Sequence, residues 1–273
     1  MKEVYTIDDL ASRELLDAGT GKPAKLAVIG HPIAHSASPK MHQAALDAEG
    51  IDARYIRVDI EPGQVGEAFA RMRALGFIGC NVTVPHKVEA MEHCIMDGYA
   101  GMMGAVNTIR FDDKTTSGFN TDGPGFESAI LDDFDVSLRE LKVAVAGAGG
   151  GAGSAITTVC FLSKVPKLVM INRTLGKLEP IVTTFTNIRK DFQVIPLSFD
   201  DPSLADECLS CDLIVNTSSV GLKIGDPSIL PASCLKKEHL VYDTIYQPPL
   251  TPLLAIANEL GCRTSNGLSM LIH

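Results

Sequence analysis

The chain has 273 residues, 45% of them apolar, and a formal net charge of −9. That length suits about two domains of ~100–200 residues, each with enough apolar material for a buried core. The acidic balance speaks against a nucleic-acid or anionic-membrane partner, and no apolar run approaches the ~18 residues of a membrane span.

Residues 1–22 read as a leading helix. Thr6 and Asp9 have capping-box spacing with Asp in place of Glu or Gln, while Ile7, Leu10, Ala11 and Leu15 share a face. Gly19 and Gly21 end it. The segment is acidic and lacks a signal-peptide apolar centre, which predicts a cytoplasmic protein. A strand follows over 25–30. Ser38-Pro39 then predicts a helix start, with Ser38 as N-cap and Pro39 at the first helical position, and Gly50 as the stop. Capping gives Ser38 a structural role. Ser36 has none, and it sits at a helix mouth where a carboxylate would be stabilised. His31, His35 and His42 invite a metal reading, but Pro32 breaks helical spacing between the first two, and no metal site is expected.

Next come a strand over 54–60, a helix over 62–75 stopped by Gly76, and a strand over 77–85 in which Val82 and Val84 alternate with Asn81 and Thr83. The β–α alternation predicts parallel strands in a right-handed layer. His86 and Lys87 are expected to open another helix. A lysine in a first turn opposes the helix dipole, which disfavours the ammonium form. Lys87 is therefore either a general base or an exposed helix-start lysine. A strand over 104–111 and a polar turn lead to SGFNTD. Gly123-Pro124-Gly125 after it reads as an interdomain hinge before a helix over 126–134.

The stretch LKVAVAGAGGGAGSA, residues 141–155, runs from a strand over 143–146 through glycines into a helix over 154–162. This is the context of a dinucleotide fingerprint, with Gly147 and Gly149 in the first two positions and Ala152 in the third. A side chain at the turn would block a pyrophosphate, and the helix N-terminus offers N–H groups and partial positive charge to it. The next strand, 168–172, ends about 25 residues after Gly147, near where this fold reads the adenosine ribose. NAD enzymes place an acid there. This chain has Asn172-Arg173-Thr174 with Lys177 close behind, groups that can pair with a 2′-phosphate, which predicts NADP. Further strands are expected over 192–197, 212–217 and 240–245, and Pro180 should delay or kink the helix after Asn172. Asn216-Thr217-Ser218 follows a strand end, the place for ligand contact or for plain turn chemistry. Thr251-Pro252 starts a helix ended by Gly261. The seven cysteines are scattered as in a reduced intracellular protein, and Cys208-x-x-Cys211 lacks a second pair for zinc.

The motifs GHPIAHSASPKMHQ, NVTVPHK, GAVNT, GFNTDG, GAGGGAG, NRT, DTIYQPPLTPLL and NGLSML stand in this order from Ile29 onward, and the set resembles the shikimate dehydrogenase family. The resemblance implies an α/β fold: an N-terminal α/β substrate domain over 1–122, joined by a returning tail over 267–273, and a C-terminal Rossmann-like NADP-binding domain over 123–266, with a cleft between them. It implies reversible NADPH-dependent reduction of 3-dehydroshikimate to shikimate, on the route to chorismate and aromatic amino acids, by a monomer or homodimer. Ser36 and Ser38 match the family's carboxylate-binding pair, Lys87 its catalytic lysine, and Asp122 the lysine's acidic partner. Thr83 and Asn107 match residues on the ring hydroxyls, and Tyr246 a substrate-contacting tyrosine. For the cofactor the resemblance implies Gly147, Ala148, Gly149, Gly150, Gly151, Asn172, Arg173, Thr174, Lys177, Thr244 and Gly267. Two alternatives stay open: a quinate/shikimate dehydrogenase, a class that often uses NAD, and a catalytically silent NADPH-binding sensor, against which Lys87 and Asp122 argue. Three departures stand out. The family's substrate-contacting Gln lies one position beyond His273, so its closing helix is expected to be incomplete here. Asn266 replaces a common Asp. Gly153 stands where a basic residue is frequent, which predicts weaker cofactor binding.

Overall fold

The computed structural model describes residues 2–273. Their packing separates two compact units, with the boundary between Thr121 and Asp122.

The first unit contains β1 (Tyr5–Thr6), α1 (Arg13–Leu16), β2 (Ala24–Gly30), α2 (Ser38–Ala48), β3 (Arg54–Asp59), α3 (Val65–Ala74), β4 (Gly79–Val82), β5 (Ile95–Met96), α4 (Gly98–Met103), β6 (Thr108–Phe111) and β7 (Thr116–Phe119). They form one sheet in the order β1-β3-β2-β4-β6-β7-β5. Strands joined through α2 and α3 run parallel, as the alternation predicts. β6, however, is antiparallel to both β4 and β7. The four residues between β6 and β7 suffice for a hairpin, whereas a parallel crossover takes about a dozen or more. Side chains alternate between two faces. Leu46 of α2 packs with Val28 and Tyr55 on one, while Ala68, Phe69 and Met72 of α3 pack with Ala27, Ile29, Ile56 and Val58 on the other.

The leading segment is not one helix. Tyr5–Thr6 adds an edge strand beside Val58–Asp59, a 3-10 turn follows over Ile7–Ala11, and α1 is one turn long. The Thr6–Asp9 box forms, with the Thr6 N–H donating to the Asp9 carboxylate at 2.7 Å, but it caps the 3-10 turn. Tyr5, Leu10 and Leu16 are all buried, so the segment follows the sheet edge instead of presenting one stripe. Arg54 ties it down. Its guanidinium donates to the Tyr5 hydroxyl at 3.0 Å, the Leu16 carbonyl at 3.0 Å, the Lys22 carbonyl at 2.8 Å and Asp17 at 2.8 Å. Burial pushes the Asp17 carboxyl up, but the Ala24 N–H and the Arg54 and Arg13 guanidiniums outweigh it and hold the carboxyl below its ordinary value. A depressed carboxylate adds stability above its unfolded pKa of ~3.9 and loses it as pH falls through the folded value. Asp17→Asn should therefore destabilise by about 2–3 kcal/mol at pH 7, and the difference from wild type should shrink below about pH 4. Urea melts of both proteins at a series of pH values test this; a pH-independent difference would remove the charge from the account.

The second unit contains α5 (Asp122–Phe134), β8 (Val143–Ala146), α6 (Gly151–Leu162), β9 (Leu168–Ile171), α7 (Glu179–Ile188), β10 (Val194–Leu197), α8 (Leu204–Leu209), β11 (Leu213–Asn216), β12 (Leu240–Asp243), α9 (Pro252–Glu259), β13 (Arg263–Asn266) and α10 (Leu268–Ile272). Its six strands are all parallel, in the order β10-β9-β8-β11-β12-β13. In chain order this is 3-2-1-4-5-6, the doubly wound arrangement of dinucleotide-binding sheets. β8, β9 and β11 are buried throughout, as strands covered on both faces must be. Gly123-Pro124-Gly125 is no loop but the first turn of α5, where a proline's missing N–H costs nothing. The segment 267–273, expected with the first domain, packs inside the second unit on α5. Ser265 and Ser269 both donate to Asp133 at 2.6 Å, and an added Cβ at Gly125 would lie 3.0 Å from the Met270 carbonyl. Pro180 stands in the first turn of α7, which starts late, after a 3-10 turn. The Thr251 hydroxyl caps α9. Among the described residues all seven cysteines are free thiols and no helix is long and apolar enough to cross a membrane.

Candidate active site

In the first unit the candidate substrate residues gather at the carboxyl ends of β2 and β4. Ser36 and Ser38 are both buried. The cap of α2 is Ala37, already in helical conformation, and no side chain caps the helix. Ser38 is thus not the expected N-cap. Ser36 Oγ accepts from the Ser38 N–H at 3.3 Å, which brings the two serines together. The loop before them is pinned from β3. Asp59 meets His31 Nδ1 at 2.6 Å and accepts from the Ile33 N–H at 3.4 Å, while Arg57 donates through Nε and Nη2 to the Ser36 carbonyl at 3.1 and 2.7 Å.

Thr83 leaves β4 beside Gly30, where an added Cβ would fall 2.7 Å from Thr83 Cγ2. No α-helix opens at His86-Lys87; turns lead to a 3-10 segment over Glu89–His93. The helix-dipole argument for Lys87 therefore has no helix to rest on. The backbone fixes this residue instead. Buried His86 donates from Nε2 to the Ile60 carbonyl at 2.6 Å, and the Val106 N–H donates to the Lys87 carbonyl at 2.8 Å. Asn107 is held by a polar row across the sheet. The Tyr55 hydroxyl donates to Asn81 at 2.6 Å, Asn81 to Thr108 at 3.2 Å, and Thr108 to Asn107 at 2.9 Å. The Thr121 N–H donates to Asn107 Oδ1 at 3.0 Å. Sequence reading missed Tyr55, Arg57, Asp59 and Asn81. The signal was present: polar residues at every second position of β3, a strand otherwise built for an interior.

In the second unit the strand order reverses between β8 and β11, and ligands of such sheets bind outside the strand ends at that point. Gly147 follows β8 with φ +87°, and an added Cβ would meet the Ser218 N at 2.9 Å and Thr217 Oγ1 at 3.0 Å. A Cβ on Gly149 would meet Lys177 Cβ at 2.9 Å and Asn172 Nδ2 at 3.0 Å. The turn and the basic segment after β9 are thus in contact, with Arg173, Thr174 and Lys177 exposed and the Asn172 amide donating to the Thr174 carbonyl at 2.9 Å. Gly150 caps α6 without a side chain and Gly151 opens it. Ala148 is buried beneath the turn. Gly267 lies on Thr244, 2.1 Å from added Cβ to carbonyl oxygen, so these two residues from different strand ends also meet. Tyr246 follows β12 half-exposed, and Asp122, also half-buried, is the first residue of α5, where an acid suits the helix dipole. One residue past the third fingerprint position, Ala152, Gly153 is also tight: its added Cβ would lie 2.3 Å from the Gly147 carbonyl oxygen. A side chain would not fit at Gly153.

The strand order, the bare turn at its reversal point and the acid-free basic segment beside it define a dinucleotide-dependent dehydrogenase unit, here in one chain with a separate α/β unit. Gly150 at the crest of the turn is exposed, and an added Cβ there would come no closer than 3.5 Å to the Gly147 carbonyl oxygen, so this stretch with the basic segment beside it fits NADP. A family model for the shikimate dehydrogenase substrate binding domain matches residues 28–109. A shikimate dehydrogenase (NADP(+)) of Geobacter metallireducens is 36% identical over 93% of this chain and 88% of that protein. This chain belongs to the shikimate dehydrogenase family. Among solved structures, shikimate 5-dehydrogenase of Thermus thermophilus in complex with NADP(H) and shikimate matches with a TM-score of 0.79 and 32% identity, over 91% of this chain and 88% of that one. A quinate dehydrogenase of Corynebacterium glutamicum in complex with NAD matches with a TM-score of 0.78 and 29% identity, over 91% and 89%.

Proposed function

We propose that this chain catalyses the reversible NADP(H)-dependent interconversion of 3-dehydroshikimate and shikimate, in the cytoplasm, as a monomer or homodimer. Family membership supplies the substrate. The observation that carries the cofactor is the packing of Gly149 against Asn172 and Lys177, which sets basic side chains and no acid beside the turn. Gly147 to Gly151, Thr244 and Gly267 would line the cofactor, and Arg173, Thr174 and Lys177 would take its 2′-phosphate. The bound nicotinamide supplies the hydride acceptor or donor. The Ser36 and Ser38 hydroxyls donate to the substrate carboxylate and orient the ring, with Thr83, Asn107 and Tyr246 on its other groups. Lys87 takes the hydroxyl proton as the alcohol is oxidised and returns it in reduction, with Asp122 as its acidic partner.

The reading is tested by initial rates with shikimate and quinate, each with NADP and NAD. Preference for shikimate with NADP supports it. Comparable turnover of quinate, or preference for NAD, moves the chain to the quinate class, which its likeness to the Corynebacterium enzyme keeps in view. No turnover of either leaves a binding protein. Arg173→Gln should raise KM for NADP about tenfold, by losing a charge-assisted phosphate contact, and leave KM for NAD within about twofold. Equal losses with both cofactors would take Arg173 off the phosphate.

A further inference from the structure

β3 presents Tyr55, Arg57 and Asp59 on the face that α2 covers. Each has one task. Tyr55 reaches Asn81 and Asp59 holds His31. Arg57 grips the Ser36 carbonyl with two donors of its planar fork, at 3.1 and 2.7 Å. Arg57 forms no ion pair with a carboxylate among the described residues, so its charge is directed at that carbonyl. Two donors on one carbonyl fix both its position and its plane, which a single ammonium donor does not. Ser36 is also the residue whose Oγ accepts from the Ser38 N–H. The clamp therefore sets both serines at once, because a peptide that tilts at Ser36 carries Oγ away from Ser38.

We propose that Arg57 is a positioning residue for the substrate carboxylate, acting through the main chain of Ser36. The proposal rests on the reading that Ser36 and Ser38 bind that carboxylate. It places part of the substrate affinity in a strand residue two positions before the aspartate that steadies the same loop.

The test is a mutant cycle read in KM for shikimate, KM for NADP and thermal midpoint, on wild type, Ser36→Ala, Arg57→Met, Arg57→Lys and the double variant Arg57→Met/Ser36→Ala. Arg57→Met should raise KM for shikimate about tenfold, and Arg57→Lys about threefold because it retains one donor, both with KM for NADP unchanged. In the Ser36→Ala background Arg57→Met should add less than about twofold, since Ser36 Oγ, through which the clamp reaches both serines, is already gone. An equal rise in both backgrounds overturns the proposal and leaves Arg57 acting independently of Ser36. A lowered midpoint with both KM values unchanged makes it structural and overturns the proposal too. If Ser36→Ala leaves KM for shikimate unchanged, the serine assignment itself falls and takes Arg57 with it. Should Arg57→Met fail to fold, Arg57→Lys alone and with Ser36→Ala gives the same cycle.

Discussion

Restoring a basic residue at Gly153 is expected to damage cofactor binding. Judged by charge alone, Gly153→Arg should help, because it adds a cation near the pyrophosphate. Geometry rules otherwise. The added Cβ would lie 2.3 Å from the Gly147 carbonyl oxygen and 2.8 Å from both the Ala148 carbonyl carbon and its Cα. All three are backbone atoms of the turn itself, so the strain cannot be relieved by a side-chain rotation. Overpacking of this kind costs about 1–3 kcal/mol, and here it shifts the main chain that shapes the turn and aims its N–H groups at the phosphates. KM for NADP should rise about tenfold or more, and the thermal midpoint should fall by several degrees, at about 2–4 °C per kcal/mol for a unit of this size. Gly153→Ala separates the two arguments, since it carries the Cβ without the charge. The two variants should lose affinity alike. Tighter NADP binding by Gly153→Arg, measured by calorimetry, would show that the turn yields and that charge wins.

What the sequence made legible follows from how each signal arises. Strands buried on both faces read as apolar runs, so β8, β9, β11 and β12 were visible, and the glycine turn stood out because it lies between one of them and a helix. Errors came where long-range contacts overrule local rules. Ser38-Pro39 carries a strong start signal, yet the helix takes Ala37 as its cap while Arg57 holds the preceding carbonyl from β3. Pro85-His86-Lys87 also looks like a helix start, but burial of His86 against the Ile60 carbonyl keeps the segment in turns. Neither Arg57 nor Ile60 is near in sequence to what it holds. At Gly153 the sequence likewise carries no sign of the steric constraint, which is the carbonyl of Gly147, a distance no pattern encodes. Of the residues that would touch substrate, Ser36 and Lys87 stand out from local chemistry alone and Ser38, Thr83, Asn107, Asp122 and Tyr246 only through the family's motifs, whereas the polar row from Tyr55 to Asn107 that supports them needs the strand register.

Lys87→Met should cost the most activity of any single change. Proton transfer by a positioned side chain is worth about 10²–10⁴ in rate, so kcat for shikimate oxidation should fall by that factor. The scaffold should survive. The main chain on either side of the side chain is fixed by bonds that the substitution leaves alone: the Val106 N–H on the Lys87 carbonyl, the His86 N–H on the Thr83 carbonyl at 2.9 Å, and the His86 ring on Ile60. Methionine keeps most of the aliphatic stem and removes only the ammonium. Binding of NADP, read by calorimetry, should then be unchanged and the thermal midpoint nearly so. This pattern separates the enzyme from a sensor, whose ligand response would persist without the lysine. It also separates a proton-transfer role from a structural one, because a small primary amine added to the buffer should restore part of the lost turnover in Lys87→Met and none in Ser36→Ala. A variant that keeps more than about a tenth of wild-type kcat would remove Lys87 from the chemistry, and the base would have to be sought elsewhere among the side chains near Thr83 and Asn107.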